Sequence, residues 1–284
     1  MYEKKRYVRL RILKNPSAAL FLEMCGARSR NYFVSLPDKG PARGACGEML
    51  EKLAKQTAVY GISTIVVRFL SYLLTPVFTR VFEPAAYGVV TDVYALIPFA
   101  LVVLTMGLES AYFRFAAKAD AAASAAGGTP ERIAAAARAG KRRLFATTWG
   151  VTLLAATLFF VLAALGRQRV AGWMGETYAA HPQYVLLVAA VVWFDVAACL
   201  PFSRLREQGR AMTFVGIKAL SVVVNVALAI AFALGGLYAT PFGVGWVFAA
   251  NLAASALTFG VVLLTTDRTV PRIDRRLLAA VLVY

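Results

Sequence analysis

Residues 53–82, LAKQTAVYGISTIVVRFLSYLLTPVFTRVF, decide the fold class of this chain. Residues 57–78 are long enough to cross a bilayer, which needs ~20 mostly apolar residues, and they carry a single charge, Arg68, at their centre. A charge at that depth costs ~2.5 to 3.5 kcal/mol on insertion scales, so it is expected to have a partner or a task. Thr57, Gly61, Thr64, Arg68, Tyr72, Thr75 and Thr79 recur every three or four residues, a small and polar stripe on an otherwise apolar helix. Such a stripe predicts a helix facing a wet cavity or other helices.

Working outward, the same character recurs along the chain. Sixty per cent of residues are hydrophobic, 16% are charged and mean hydropathy is +0.64, which excludes an ordinary soluble domain and predicts an all-α polytopic membrane protein. Further apolar spans are expected at 88–113, 146–165, 184–202, 211–234 and 242–265, giving six. Residues 1–48 read as a basic, aperiodic cytosolic tail, 49–265 as a six-helix lobe, and 266–284 as a link followed by a truncated seventh helix. The eight apolar residues 277–284 reach only ~12 Å as helix, so the sequence is expected to be the first part of a longer protein.

The formal charge of +16 would suggest nucleic acid in a soluble protein, but the basic residues concentrate in alternate links. The second, fourth and sixth links hold seven, three and four Lys and Arg, against one, two and none in the first, third and fifth. Fourteen against three predicts a cytoplasmic N-terminus, with no nucleic-acid partner. The link 114–143 reads as a long basic connection carrying a short alanine-rich surface helix, with Thr129 as N-cap, Pro130 at the first position and Glu131 in the first turn.

Polar residues inside the spans supply the candidate site. Thr91, Tyr94, Pro98, Thr105 and Glu109 are expected on one face of the second span, with Asp92 near its other end; Asp195 interrupts the fourth. Lys218, Ser221 and Asn225 share a face of the fifth span, and Asn251, Ser255 and Thr258 a face of the sixth. Asp92, Glu109 and Asp195 could be ion-pair partners of Arg68 or sites for a coupling cation or proton. The three cysteines form no metal-ligand pair, and the single histidine, His181, completes no catalytic motif; neither enzyme activity, cofactor nor metal is expected.

The run YGISTIVVRFLSYLLTPVFTRVFEPAAYGVVTDVYALIPFALVVLTMGLESAYFRF resembles the opening of bacterial polysaccharide-export or O-antigen flippases of the multidrug/oligosaccharidyl-lipid/polysaccharide exporter superfamily. The features that carry it are the arginine in the first span, then TPVFTRVFEPAAYGVV, then MGLESAYFRF. The resemblance implies two six-helix lobes around a central cavity in the bacterial inner membrane, flipping undecaprenyl-pyrophosphate-linked oligosaccharide for polysaccharide or O-antigen biosynthesis. It implies a C-terminal lobe and polysaccharide polymerase machinery as partners. In that picture Arg68 and Lys218 would meet the pyrophosphate, with Tyr72, Asn225 and Asn251 lining the same cavity. The alternatives are an ion-coupled drug or cation antiporter of the same superfamily, whose cavity should be acidic, and a non-transporting membrane scaffold.

Overall fold

Apolar composition sets the helices, and the breaks fall where the backbone is forced to turn. The computed structural model describes residues 74–266, 271, 272, 274, 277 and 278. The tail 1–48, Arg68, Tyr72, most of the first span and most of the seventh segment lie outside the described residues. All described residues fall in the unit Lys55–Tyr284, and among them there is no strand.

The helices are α1 (Thr75–Val81), α2 (Pro84–Thr105), α3 (Leu108–Ala125), α4 (Pro130–Leu165), α5 (Arg167–Met174), α6 (Glu176–Ala180), α7 (Gln183–Glu207), α8 (Ala211–Leu234) and α9 (Gly245–Thr265), with a 3₁₀ turn at Leu237–Ala239. Among the described residues five helical runs, beginning at Pro84, Pro130, Gln183, Ala211 and Gly245, have the length and apolar composition to cross a membrane. They are the second to sixth expected spans. The most enclosed of them, α7, packs chiefly against α4 and α9 and also touches α2, α3, α5 and α8.

Two expectations are corrected. The second span is not one helix across 88–113: Met106 (φ 47°) and Gly107 (φ 68°) both take the left-handed conformation, which ends α2 and starts α3. Left-handed backbone is unfavourable for a residue with a Cβ and routine for glycine, so Gly107 is the residue that makes the double turn attainable. Glu109 therefore sits in the first turn of α3, no longer on the face of α2 that carries Thr91, Tyr94, Pro98 and Thr105.

The second correction concerns 114–143. α3 continues through the alanine-rich run to Ala125, residues 126–129 turn, and α4 then runs unbroken for 36 residues, about 54 Å. Alanine's high helix propensity carries the helix through the charged stretch, so the expected surface helix is the opening of the third span. Thr129 holds the N-cap position, with Pro130 and Glu131 following, but its side chain makes no capping hydrogen bond. The result is a helical hairpin whose legs pack closely: a Cβ placed on Gly140 would lie 3.3 Å from that of Ala119.

Several hydroxyls in the bundle are satisfied within their own helix. Thr147, Thr148 and Thr152 hydroxyls each donate to the carbonyl four residues back in α4. In α7, Pro201 has no N–H to offer the carbonyl of Ala197, and the indole N–H of Trp149 donates to it instead at 3.0 Å. The apolar core gathers in two main zones. Leu108, Tyr112, Leu144, Phe145, Trp149 and Leu200 join α3, α4 and α7, while Phe78, Phe82, Val90, Tyr184 and Phe248 belong to a larger cluster spanning α1, α2, α7 and α9.

The basic links meet at one end of the bundle. Lys141 Nζ lies 2.7 Å from both Asp120 Oδ2 of α3 and Glu207 Oε1 of α7. Arg210 donates to the Thr265 carbonyl at 2.7 Å, and the Arg272 N–H to the Ala146 carbonyl at 3.1 Å. The opposite end is closed by α5, α6 and the 3₁₀ turn, where Tyr178 donates to the Val89 carbonyl and Tyr184 to that of Phe242.

Candidate functional site

One face of α7 carries Asp195, Cys199, Ser203 and Arg206, spaced four, four and three residues apart and so stacked along the helix. At the basic end of this face Ser203 Oγ donates to Glu109 Oε1 at 2.6 Å, and Arg206 Nη2 donates to the same oxygen in an ion pair. Arg206 also reaches Ser203 Oγ at 3.2 Å. Its guanidinium carbon lies 5.4 Å from the Phe113 ring centroid and 5.6 Å from that of Phe214. Aromatic faces attract a cation and here bracket the guanidinium.

Lys218 of α8 extends toward this face. Its Nζ lies 4.3 Å from the centre of the Phe202 ring and within electrostatic range of Asp195, Glu109 and Arg206. Its side chain is exposed. Ser255 of α9 lies within reach of the Asp195 carboxylate. Four helices, α3, α7, α8 and α9, thus contribute to a polar cluster with two carboxylates and two cations.

The other sequence candidates distribute around it. Asn225 lies two helical turns from Lys218 on α8, and Asn251 one turn from Ser255 on α9; both are half-buried. Asp92 is exposed at the far end of α2, where its field reaches Tyr178; burial, with Asp92 adding to it, pushes the Tyr178 phenol up. Asp92 and Glu109 therefore belong to opposite ends of the bundle. Arg206 and Ser203 were not singled out from sequence, because Arg206 was counted among the link charges. Continuing the helical spacing from Asp195 through Cys199 would have found both.

A separate apolar cavity of about 410 Å³ lies between α2, α4 and α7, beneath α5 and α6. Phe99, Leu104, Phe159 and Val188 are among its walls, and the rings of Tyr178 and Tyr184 line it while their hydroxyls are engaged with backbone carbonyls.

Residues 53–272 match the family model described as polysaccharide biosynthesis protein, well over half of the chain. The chain belongs to that family. The match begins at Leu53, so the basic tail lies outside it. No curated protein and no solved structure gives a match. As a polysaccharide biosynthesis protein with five helices fit to span a bilayer, the molecule acts in that biosynthesis as a multi-pass membrane protein.

Proposed function

We propose that this polysaccharide biosynthesis protein moves oligosaccharide units linked to undecaprenyl pyrophosphate across the bacterial cytoplasmic membrane, with its basic links and N-terminus on the cytoplasmic side. The observation that carries the reading is Lys218: an exposed cation within a membrane-spanning helix, facing Asp195 of α7 electrostatically, in a protein of this family. A lysine at that depth is costly, and an anionic cargo gives it a use. Asp195 supplies the nearby negative charge in the absence of cargo. A cationic cargo would instead call for an acidic cleft, which disfavours a drug or cation antiporter. Arg68 and Tyr72, outside the described residues, join the cargo site in this proposal, with Asn225 and Asn251 as neutral lining.

The test is polysaccharide export in a bacterial strain lacking its own flippase, complemented by variants of the protein. Lys218→Ala is expected to lower export at least about ten-fold at unchanged membrane abundance, and Lys218→Arg to keep part of it. Export by Lys218→Ala equal to that of the parent would remove the main support for the reading.

A further inference from the structure

The contact between α3 and α7 has the form of an anion site already occupied by a side chain. Ser203 Oγ and Arg206 Nη2 both donate to a single oxygen of Glu109, and Lys218 adds its positive charge from α8. Arg206 Nε, however, is buried and has no acceptor among the described residues. In a guanidinium Nε–H and Nη2–H point the same way and form a fork that suits two oxygens of one anion. Glu109 fills half of that fork. A buried donor left unmatched is uncommon, and here it leaves one position of the fork open to a further anionic oxygen.

The geometry points to a phosphate-binding cradle formed by Ser203, Arg206 and Lys218, in which Glu109 is a resident carboxylate that a phosphate or diphosphate group displaces. The backbone gives Glu109 a means of leaving. It lies two residues beyond Gly107, and the left-handed pair Met106–Gly107 uncouples α3 from α2, so α3 can shift without bending a continuous helix. Glu109 and Arg206 keep 38% and 35% of their side-chain surface exposed, so an anion can reach them. Phe214 lies on α8 and not on α3, so its contact with the guanidinium does not depend on where Glu109 sits. As the docking point for a lipid-linked diphosphate this inference rests on the proposed function, but as an anion site it stands on the cradle alone.

Inorganic pyrophosphate, titrated calorimetrically into the purified full chain in detergent, tests it without a lipid-linked sugar. Glu109→Gln and Glu109→Ala are each expected to tighten pyrophosphate binding about ten-fold, because the competing charge is gone. Arg206→Lys keeps the charge but loses the fork and is expected to weaken binding about ten-fold, both alone and combined with Glu109→Gln. A monodisperse elution profile identifies the variants that fold, and Glu109→Gln and Arg206→Lys are the mildest pair. Unchanged affinity in Glu109→Gln, or parent-like affinity in Arg206→Lys, would overturn the cradle. Pyrophosphate binding that follows this pattern while Lys218→Ala exports as well as the parent would count against the transport reading and leave the cradle standing.

Discussion

Trp149 on α4 supplies the hydrogen bond that Pro201 denies to Ala197 on α7. The indole lies in the apolar contact between the two helices, so its loss leaves a carbonyl with neither a backbone donor nor water. Trp149→Phe is expected to lower stability by about 1 to 2 kcal/mol, within the range for an unmatched buried polar group and above the average for membrane hydrogen bonds. Pro201→Ala restores an N–H at that position. In a double-mutant cycle the tryptophan substitution should cost clearly less in the Pro201→Ala background, as read from thermal denaturation in detergent. Strictly additive losses would show that the indole contributes packing alone.

Lys141 ties three helices together through Asp120 and Glu207. Lys141→Met leaves the methylene packing roughly intact and removes both ion pairs. The hairpin legs, residues 114–143, should then exchange amide hydrogens faster by about five- to ten-fold, equivalent to about 1 kcal/mol of lost local stability, while residues 185–200 stay unchanged. Equal exchange in both segments would place the clamp elsewhere.

Removing Arg206 should be worse than removing the whole pair. Arg206→Ala leaves Glu109 half-buried without its cation, a cost of about 1 kcal/mol or more at this exposure. Adding Glu109→Gln should recover most of the lost melting temperature. A double variant as unstable as Arg206→Ala alone would mean that the aromatic contacts of Arg206, and not its charge, hold α3 to α7.

Orientation has a direct measurement. Cysteines introduced at Arg132 and Arg138 lie on the hairpin and one at Gly172 lies on α5, at opposite ends of the bundle. In intact cells an impermeant thiol reagent should label the Gly172 site and spare the other two. The opposite labelling pattern would invert the assigned orientation.

Helix type and the spans themselves were legible because hydropathy over twenty residues averages out local detail; the fifth span, 211–234, coincides with α8. Hydropathy misleads where propensity and charge oppose one another. In 114–143 the arginines read as a connection, while the alanines between them kept the backbone helical through α3 and α4. The break at Met106–Gly107 leaves a faint trace in sequence, since an isolated glycine in an apolar run is usually tolerated in a helix. The candidate site was half legible: Lys218 and Asp195 stand out as charges within apolar runs, whereas Arg206 lies one residue before the end of α7 and looks like any basic residue at a span terminus. Pairing Glu109 with Arg206 required knowing that α3 turns away from α2, which only the folded backbone supplies.

The uninterrupted length of α4 makes it a lever. If its bond to α7 at Trp149 is taken as the fulcrum, nineteen residues of helix lie on one side and sixteen on the other, arms of about 28 and 24 Å. With arms so nearly equal, a sideways displacement of the tip near Pro130 reappears at Leu165 with almost the same size and opposite direction. Phe159 and Leu162 ride on that far arm and form part of the wall of the apolar cavity. A force applied to the hairpin outside the membrane would therefore widen or narrow a hydrocarbon-lined space near the other face, transmitted by one stiff rod.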